Sequence, residues 1–340
     1  MTTSPSVRGS DPVVEAGRPS IVPASGPLAA FTIDVEDWYQ SSVDFDAPIS
    51  ERVVGNVDRV LALLDAHDVK ATFFTQGLVA MRFPDLVRRL LAQGHEVQSH
   101  GHTHRPLFRM NRAELRAELD TARKSVEDAG GVRVTAFRAP DFSILRENLW
   151  ALDVLAEAGF EVDSSVFPVS TPRYGIRGWT AEPERLRLPE GGTLLEAPVA
   201  CSGRTVRLPV GGGGYFRLLP LSVLRRSLQW CVANRRPPVL YFHPYEFNAG
   251  EISTYGDRIP WSVRMHQGLG RDALIRKVHA MGLERRPRVR YRFSLKEREI
   301  GFLPVWRGSG NAAGSRHFLA SPNDLSSLGR CQPVESGRRG

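Results

Sequence analysis

The sequence predicts an α/β fold built on a parallel sheet, open or closed into a barrel, and three observations carry that expectation. Short apolar runs alternate with amphipathic stretches of helical period from about residue 28 to 242. Polar clusters directly follow four of the apolar runs, as strand tips gathered at one sheet edge would. The composition, 41% hydrophobic and 24% charged over 340 residues, provides for a sizeable core and excludes disorder as the global state.

Leu28 to Ile33 reads as a buried strand, followed by a helix from Asn56 to His67 with Val60, Leu61, Leu63 and Leu64 on one side. Ala71 to Phe74 is a strand, Leu86 to Gln93 a helix, His95 to Gln98 a strand and Arg112 to Ala129 a long charged helix. Val134 to Phe137, the helix Leu149 to Ala158 and a short strand near Glu161 continue the pattern. Residues 168–218, rich in Pro, Arg and Gly, read as an elaborated insertion. The helix Leu221 to Asn234 and the strand Val239 to Phe242 restore the rhythm, and 244–270 reads as a long ordered loop.

The ends differ from this body. Residues 1–27 carry five prolines among Ser, Gly and Thr, which predicts a disordered leader. Residues 301–340 predict a disordered basic tail, so the folded unit spans 28–300. No apolar run is long enough to cross a bilayer and the first residues lack a secretory layout, from which a soluble, cytoplasmic protein is expected. The net charge of +8 suggests nucleic acid until it is located: residues 282–340 hold 12 Arg/Lys against 5 Asp/Glu, leaving +1 for residues 1–281. Basic residues are not interleaved with aromatics along the body, so no nucleic-acid partner is expected. Cys201, Cys231 and Cys331 are an odd set without close spacing, so neither a disulfide framework nor a thiolate zinc site is suggested. Any metal must take oxygen and nitrogen ligands.

The first cluster, Phe-Thr-Ile-Asp-Val-Glu-Asp-Trp-Tyr, sets Asp34, Glu36 and Asp37 directly after a strand. Such carboxylates repel one another unless a cation or proton sits among them; a solvated acidic loop is the alternative. In the second cluster, His100 and His104 are four apart, so on one helical turn both imidazoles would face one borderline metal such as zinc. His95 and His102 fall outside that spacing and read as structural. In the third, Phe-Arg-Ala-Pro-Asp-Phe, Arg138 can fix a carboxylate in its ionised state, in a site or in a plain structural ion pair. Asp163 is a further strand-end acid, reading equally as a helix cap. The fourth, Tyr-Phe-His-Pro-Tyr-Glu, delivers His243 at a strand tip, where histidine can donate a proton near neutral pH or sit as a bonded core residue.

Read in order, Thr-Ile-Asp-Val-Glu-Asp, Ala-Thr-Phe-Phe, Gly-His-Glu-Val-Gln-Ser-His-Gly-His-Thr-His, Phe-Arg-Ala-Pro-Asp-Phe, Asp-Ser-Ser and Phe-His-Pro resemble the motif set of the polysaccharide deacetylases, the NodB-homology family, over about 28–247. The fuller forms Asp-Val-Glu-Asp-Trp-Tyr, Gly-Gly-Gly-Gly-Tyr-Phe-Arg-Leu-Leu-Pro and His-Pro-Tyr-Glu-Phe resemble the branch found with exosortase and exopolysaccharide systems, whose extra C-terminal region would cover about 200–295.

The resemblance implies a distorted (β/α) barrel and hydrolysis of an N-acetyl group from an amino sugar. It implies a divalent metal, zinc with cobalt or manganese as alternatives, on His100, His104 and a first-cluster carboxylate. Asp34 matches the general base, with Arg138 orienting it. His243 matches the general acid, with Asp163 keeping it cationic, and a backbone N–H near the Phe142 motif would hold the oxyanion. The family's usual first motif has two adjacent aspartates, whereas Val35 follows Asp34 here. Extended backbone puts Asp34 and Glu36 on one side and favours Glu36 as ligand; a turn after Asp34 would favour Asp37.

Trp38, Tyr39, Pro140, Phe142 and Tyr215 are candidates to line the sugar site, the aromatic ones as platforms. The glycines at 211–214 allow close backbone approach to a ligand, or simply a tight loop, and no Lys-Ser/Thr follows to make them a phosphate loop. The expected partner is an N-acetylated glycan, with association to an exopolysaccharide biosynthesis system. A small-amide hydrolase of the same fold and a non-catalytic glycan-binding homologue are the alternatives.

Overall fold

In the strand β1 (Ala30–Val35), apolar residues are not alternated with exposed ones, because the strand lies between two parallel neighbours with both faces covered. A computed structural model of the chain describes residues 29–281 and 297–299. The predicted leader and the predicted tail, with Cys331, lie outside the described residues.

After β1 comes the short helix α1 (Trp38–Ser42), then α2 (Arg52–Ala66), which buries Val53, Val57, Val60 and Leu64. The chain continues through β2 (Thr72–Thr75), α3 (Gly77–Arg82), α4 (Pro84–Ala92) and β3 (Glu96–Ser99). α5 (Arg112–Gly130) buries Leu115, Leu119, Ala122 and Val126, the stripe that its 3.6-residue period requires. Its start is fixed by Asn111 and Glu114 bonding reciprocally, and its end by Gly131 at φ 65°. Replacing Asn111 with Ala is expected to cost about 1 kcal/mol in urea unfolding, with no change in activity.

Then follow β4 (Ala136–Phe137), α6 (Ala151–Glu157), β5 (Val162–Asp163), β6 (Glu184–Arg187), β7 (Thr193–Glu196), β8 (Cys201–Ser202) and β9 (Leu208–Pro209). α7 (Gly213–Leu218), α8 (Leu221–Ala233), β10 (Val239–Phe242), α9 (Trp261–Gly268), α10 (Arg271–Ala280) and β11 (Glu297–Glu299) complete the described chain.

Nine strands form one sheet in the order β10-β1-β2-β3-β4-β5-β7-β6-β11, parallel except for the antiparallel pair β6/β7. The chain near the β8/β9 hairpin runs along the outer edge of β10: Ala200 N–H donates to the Val239 carbonyl (2.9 Å) and Tyr241 N–H to that of Gly211 (2.7 Å). The result is a distorted, half-closed (β/α) barrel. Residues 168–218 are therefore more than an insertion, since they supply β6 and β7 to the main sheet. Residues 244–270 are not one loop: 3-10 turns at Pro244–Phe247 and Ile252–Arg258 lead into α9. Cys201 and Cys231 are buried and free. Among the described residues, no helix is long and apolar enough to cross a membrane.

Candidate active site

The carboxyl ends of β1, β3, β4 and β10 bring four of the predicted clusters together. Thr32, Asp34 and Glu36 alternate onto one side of β1. Thr32 and Asp34 both meet Arg138, whose Nη1 donates to Thr32 Oγ1 and to Asp34 Oδ1, each at 2.7 Å. Arg138 is fully buried and further fixed by the Ser164 carbonyl (3.3 Å) and hydroxyl (3.0 Å), with Phe74 lying 4.3 Å beneath the guanidinium. So many partners hold the cation rigidly and leave Asp34 one fixed, charge-assisted contact.

Glu36, next on that side, meets both histidines. Its Oε2 lies 3.3 Å from His100 Nε2 and in closer contact with His104 Nε2. Ligand atoms of the three residues all fall within 4.8 Å of one another. His100 Nδ1 sits 2.9 Å from the Arg138 carbonyl, which accepts only, so that nitrogen carries the hydrogen and Nε2 presents its lone pair. Ser41 Oγ (3.1 Å) and Tyr245 OH (3.3 Å) donate to the other Glu36 oxygen. Burial alone would raise the Glu36 pKa, but the neighbouring His104 and His243 and the close approach of both site histidines hold it well below its ordinary value. Burial pulls His104 down, and the Glu36 carboxylate outweighs it and raises it.

Glu36 Oε2 has no well-formed hydrogen bond although two imidazoles converge on it. Two imidazole Nε2 atoms and one carboxylate oxygen gathered at one point suit a divalent cation of borderline softness. The histidines do not converge through a helical turn as their spacing suggested. His104 takes a left-handed φ of 64° and Gly101 one of 71°, and the loop is pinned by Glu118, whose Oε1 accepts the N–H groups of His102 (2.8 Å) and Thr103 (2.7 Å). His95 and His102 stand apart: burial brings His95 down to about 4, where its neutral Nδ1 accepts the Ala71 N–H.

Asp37 does not join the cluster. Its Oδ1 caps α1 through Tyr39 N–H (2.9 Å) and Gln40 N–H (3.2 Å), and its Oδ2 accepts the Ser50 N–H (2.9 Å). The turn that would have aimed it at the metal is replaced by a helix start, so Glu36 is the carboxylate placed with the histidines.

His243 sits at the tip of β10 with its side chain 23% exposed, stacked on Tyr245 (5.0 Å) and with Nε2 3.9 Å from Glu36 Oε1. Burial alone would lower its pKa, but the carboxylates of Glu36 and Glu246 lift it to about 9. The carboxylate on its Nδ1 is Glu246 (3.2 Å), not Asp163 as expected. Asp163 is turned away, its carboxyl taken by the Ser165 N–H (3.2 Å) and hydroxyl, and across the β5/β7 register it faces Glu196.

Burial, and then the neighbouring Asp163, push the Glu196 pKa well above its ordinary value of 4.5, which favours one proton shared by the pair. Folding raises this pKa, so the stabilisation is full below the unfolded value and is lost as pH rises through the folded one. Glu196→Gln keeps a donor to Asp163 at every pH. Between about pH 5 and pH 8 the wild type is expected to lose at least about 1 kcal/mol more stability than Glu196→Gln, measured by urea unfolding; parallel profiles would refute the shared proton.

The candidate sugar-lining residues divide. Trp38 is 1% exposed and packs on Tyr255, and Phe142 is wedged among Phe167, Tyr174 and Tyr241; neither offers a free ring face. Pro140 is buried against Gly101. Tyr39 and Tyr215 stay half-buried. The glycine run meets protein rather than ligand: a Cβ on Gly212 would strike the Tyr241 ring, and one on Gly213 the Glu246 carboxylate. Beyond the predicted set, Glu246, Ser41, Tyr245, Thr32 and Ser164 touch its members. Glu246 had a sequence signal, standing three residues after a strand-tip histidine with Pro between, the spacing of a capped turn.

Comparison with known proteins adds to this geometry. A family model described as polysaccharide deacetylase matches residues 41–162, and one described as a domain of unknown function matches 164–290. A chitooligosaccharide deacetylase from Bradyrhizobium sp. is 38% identical over 122 residues, 34% of this chain and 53% of that one. A peptidoglycan N-acetylglucosamine deacetylase from Listeria monocytogenes is 37% identical over 95 residues, 28% of this chain and 20% of that one. The chain thus spans about half the length of the rhizobial relatives it matches. Among solved structures, a family 4 carbohydrate esterase from Streptomyces lividans superposes with a TM-score of 0.40 at 16% identity, covering 76% of this chain and 91% of that one.

Proposed function

This chain belongs to the polysaccharide deacetylase family, and on that footing we propose that it is a metal-dependent hydrolase removing N-acetyl groups from amino sugars of a polysaccharide, oligosaccharide or lipid-linked glycan precursor. The observation that carries the reading is the meeting, at one sheet edge, of the Asp34–Arg138 pair, the Glu36–His100–His104 cluster and His243. Glu36, His100 and His104 hold the ion, with zinc the first choice and cobalt or manganese the alternatives. The chemistry such an ion supplies is Lewis acidity, which lets water ionise near neutral pH and polarises an amide oxygen.

Asp34 takes the proton from the attacking water, and Arg138 keeps its carboxylate aimed. Phe142 N–H is already bonded to the Ala139 carbonyl (3.2 Å) and Ser143 N–H to that of Pro140 (3.1 Å). Oxyanion binding therefore falls to the backbone N–H of Asp141, whose φ of 57° holds it in a tight turn after Arg138. His243 Nε2 protonates the departing sugar amine, which could not leave as an amide anion. Service to an exopolysaccharide system belongs to the same reading and is supported by the branch-like segments around 211–220 and 243–247.

The test is acetate release from N-acetylglucosamine oligomers and from an N-acetylated lipid-linked sugar, with chelator and with zinc, cobalt or manganese restored. Metal-restored release that fails in His100→Ala supports the proposal. Metal binding without cleavage of any sugar amide would favour a small-amide substrate, and no metal binding would favour a glycan-binding role.

A further inference from the structure

His243 can donate to a leaving group only if its ring is held with Nε2 facing the centre. Stacking on Tyr245 sets the ring plane, and the contact on Nδ1 sets its rotation about that plane. We propose that Glu246 is the positioning residue of the acid, and that Gly213 and Arg217 form a clasp whose purpose is to hold Glu246 there. The inference rests on the reading of His243 as general acid and extends it to residues outside the predicted set.

Three observations build the clasp. Glu246 Oε2 accepts both the backbone N–H (2.9 Å) and the Nδ1–H (3.2 Å) of His243, so one oxygen ties the ring to its own main chain. The carboxylate is buried, and Arg217 Nε lies 3.8 Å from the other oxygen, itself anchored through Nη1 to the Gln267 carbonyl (2.8 Å). Gly213 closes the third side, where a methyl group would overlap both carboxylate oxygens, so only glycine admits them at the start of α7. The glycine run and the charged residue four positions after Gly213 thereby gain a common function.

The experiment compares the wild-type full chain with Glu246→Ala, Glu246→Gln and Gly213→Ala. Two substrates are used: an N-acetylglucosamine oligomer, whose amine needs a proton to leave, and 4-nitrophenyl acetate, whose phenolate does not. Glu246→Ala is expected to lower kcat on the amide about 100-fold with little change in KM, and activity on the ester less than about 3-fold. Glu246→Gln, whose amide oxygen still accepts from Nδ1, is expected to stay within about 10-fold of wild type on the amide. Gly213→Ala is expected to behave like Glu246→Ala although it alters neither the histidine nor its carboxylate.

Equal losses on amide and ester in Glu246→Ala, or a fully active Gly213→Ala, would overturn the clasp. Should Glu246→Ala not fold, as judged by its melting curve, Gly213→Ala and Glu246→Gln decide. If the wild type cleaves neither substrate, the proposed function is what fails. The clasp is then read from the 15N-edited NMR signal of the His243 Nδ1–H, which it requires to be hydrogen-bonded in wild type and displaced in Gly213→Ala.

Discussion

Asp34→Asn is expected to lower kcat/KM for an N-acetylated sugar about a thousandfold while metal binding is kept. The carboxylate is not a metal-cluster member; it is the buried partner of Arg138, and asparagine cannot take the proton from water. The same change leaves a fully buried guanidinium without its counter-charge, which costs about 3 kcal/mol even though Thr32 and Ser164 still accept from it. Urea unfolding measures that second effect, and adding Arg138→Met should recover part of the lost stability without recovering activity. An Asp34→Asn protein with near-normal turnover would place the base elsewhere.

His104→Ala should weaken metal affinity by more than about 100-fold, beyond what loss of an outer hydrogen-bond partner produces. The residue stands at φ 64°, which costs histidine and alanine alike about 1 kcal/mol, so a change in melting temperature in His104→Ala belongs to the lost imidazole and not to the backbone. His104→Gly separates the two, since it relieves the strain and still removes the imidazole. Titration calorimetry with zinc on both variants reads affinity directly. Unchanged binding in either would show that the ion is held by another donor set.

The strands that carry the site were legible because each is an apolar run ending in a polar cluster; β10, Val239–Phe242, lies where its sequence predicts. The strands β6 and β7 were hidden because Glu184–Arg187 and Thr193–Glu196 are four residues each, one nearly all charged, and are set among Pro and Gly. Helix α9 was hidden by the prolines and glycines before it. At the site, Asp34 with Arg138 and the convergence of Glu36 with His100 and His104 follow from strand-end placement. The route by which the histidines converge does not, because a left-handed His104 leaves no mark in residue spacing. Glu246 takes the place that the resemblance implied for Asp163, since which carboxylate reaches Nδ1 depends on a two-serine turn after β5 and on a glycine some thirty residues before the histidine, neither adjacent in sequence.

The pairing of β1 with β10 has a temporal side. Thr32 Oγ1 reaches the Leu240 carbonyl across 208 residues, so one edge of β1 lacks its strand partner until most of the described chain exists. At ribosomal speeds that interval lasts roughly ten to forty seconds, during which Ala30–Val35 can pair with β2 but exposes its other edge. Non-local pairings of this kind close late, and an unpaired apolar edge is a template for self-association. His243 therefore meets Asp34 at this sheet edge only after the strands β2 to β9 between them have been made.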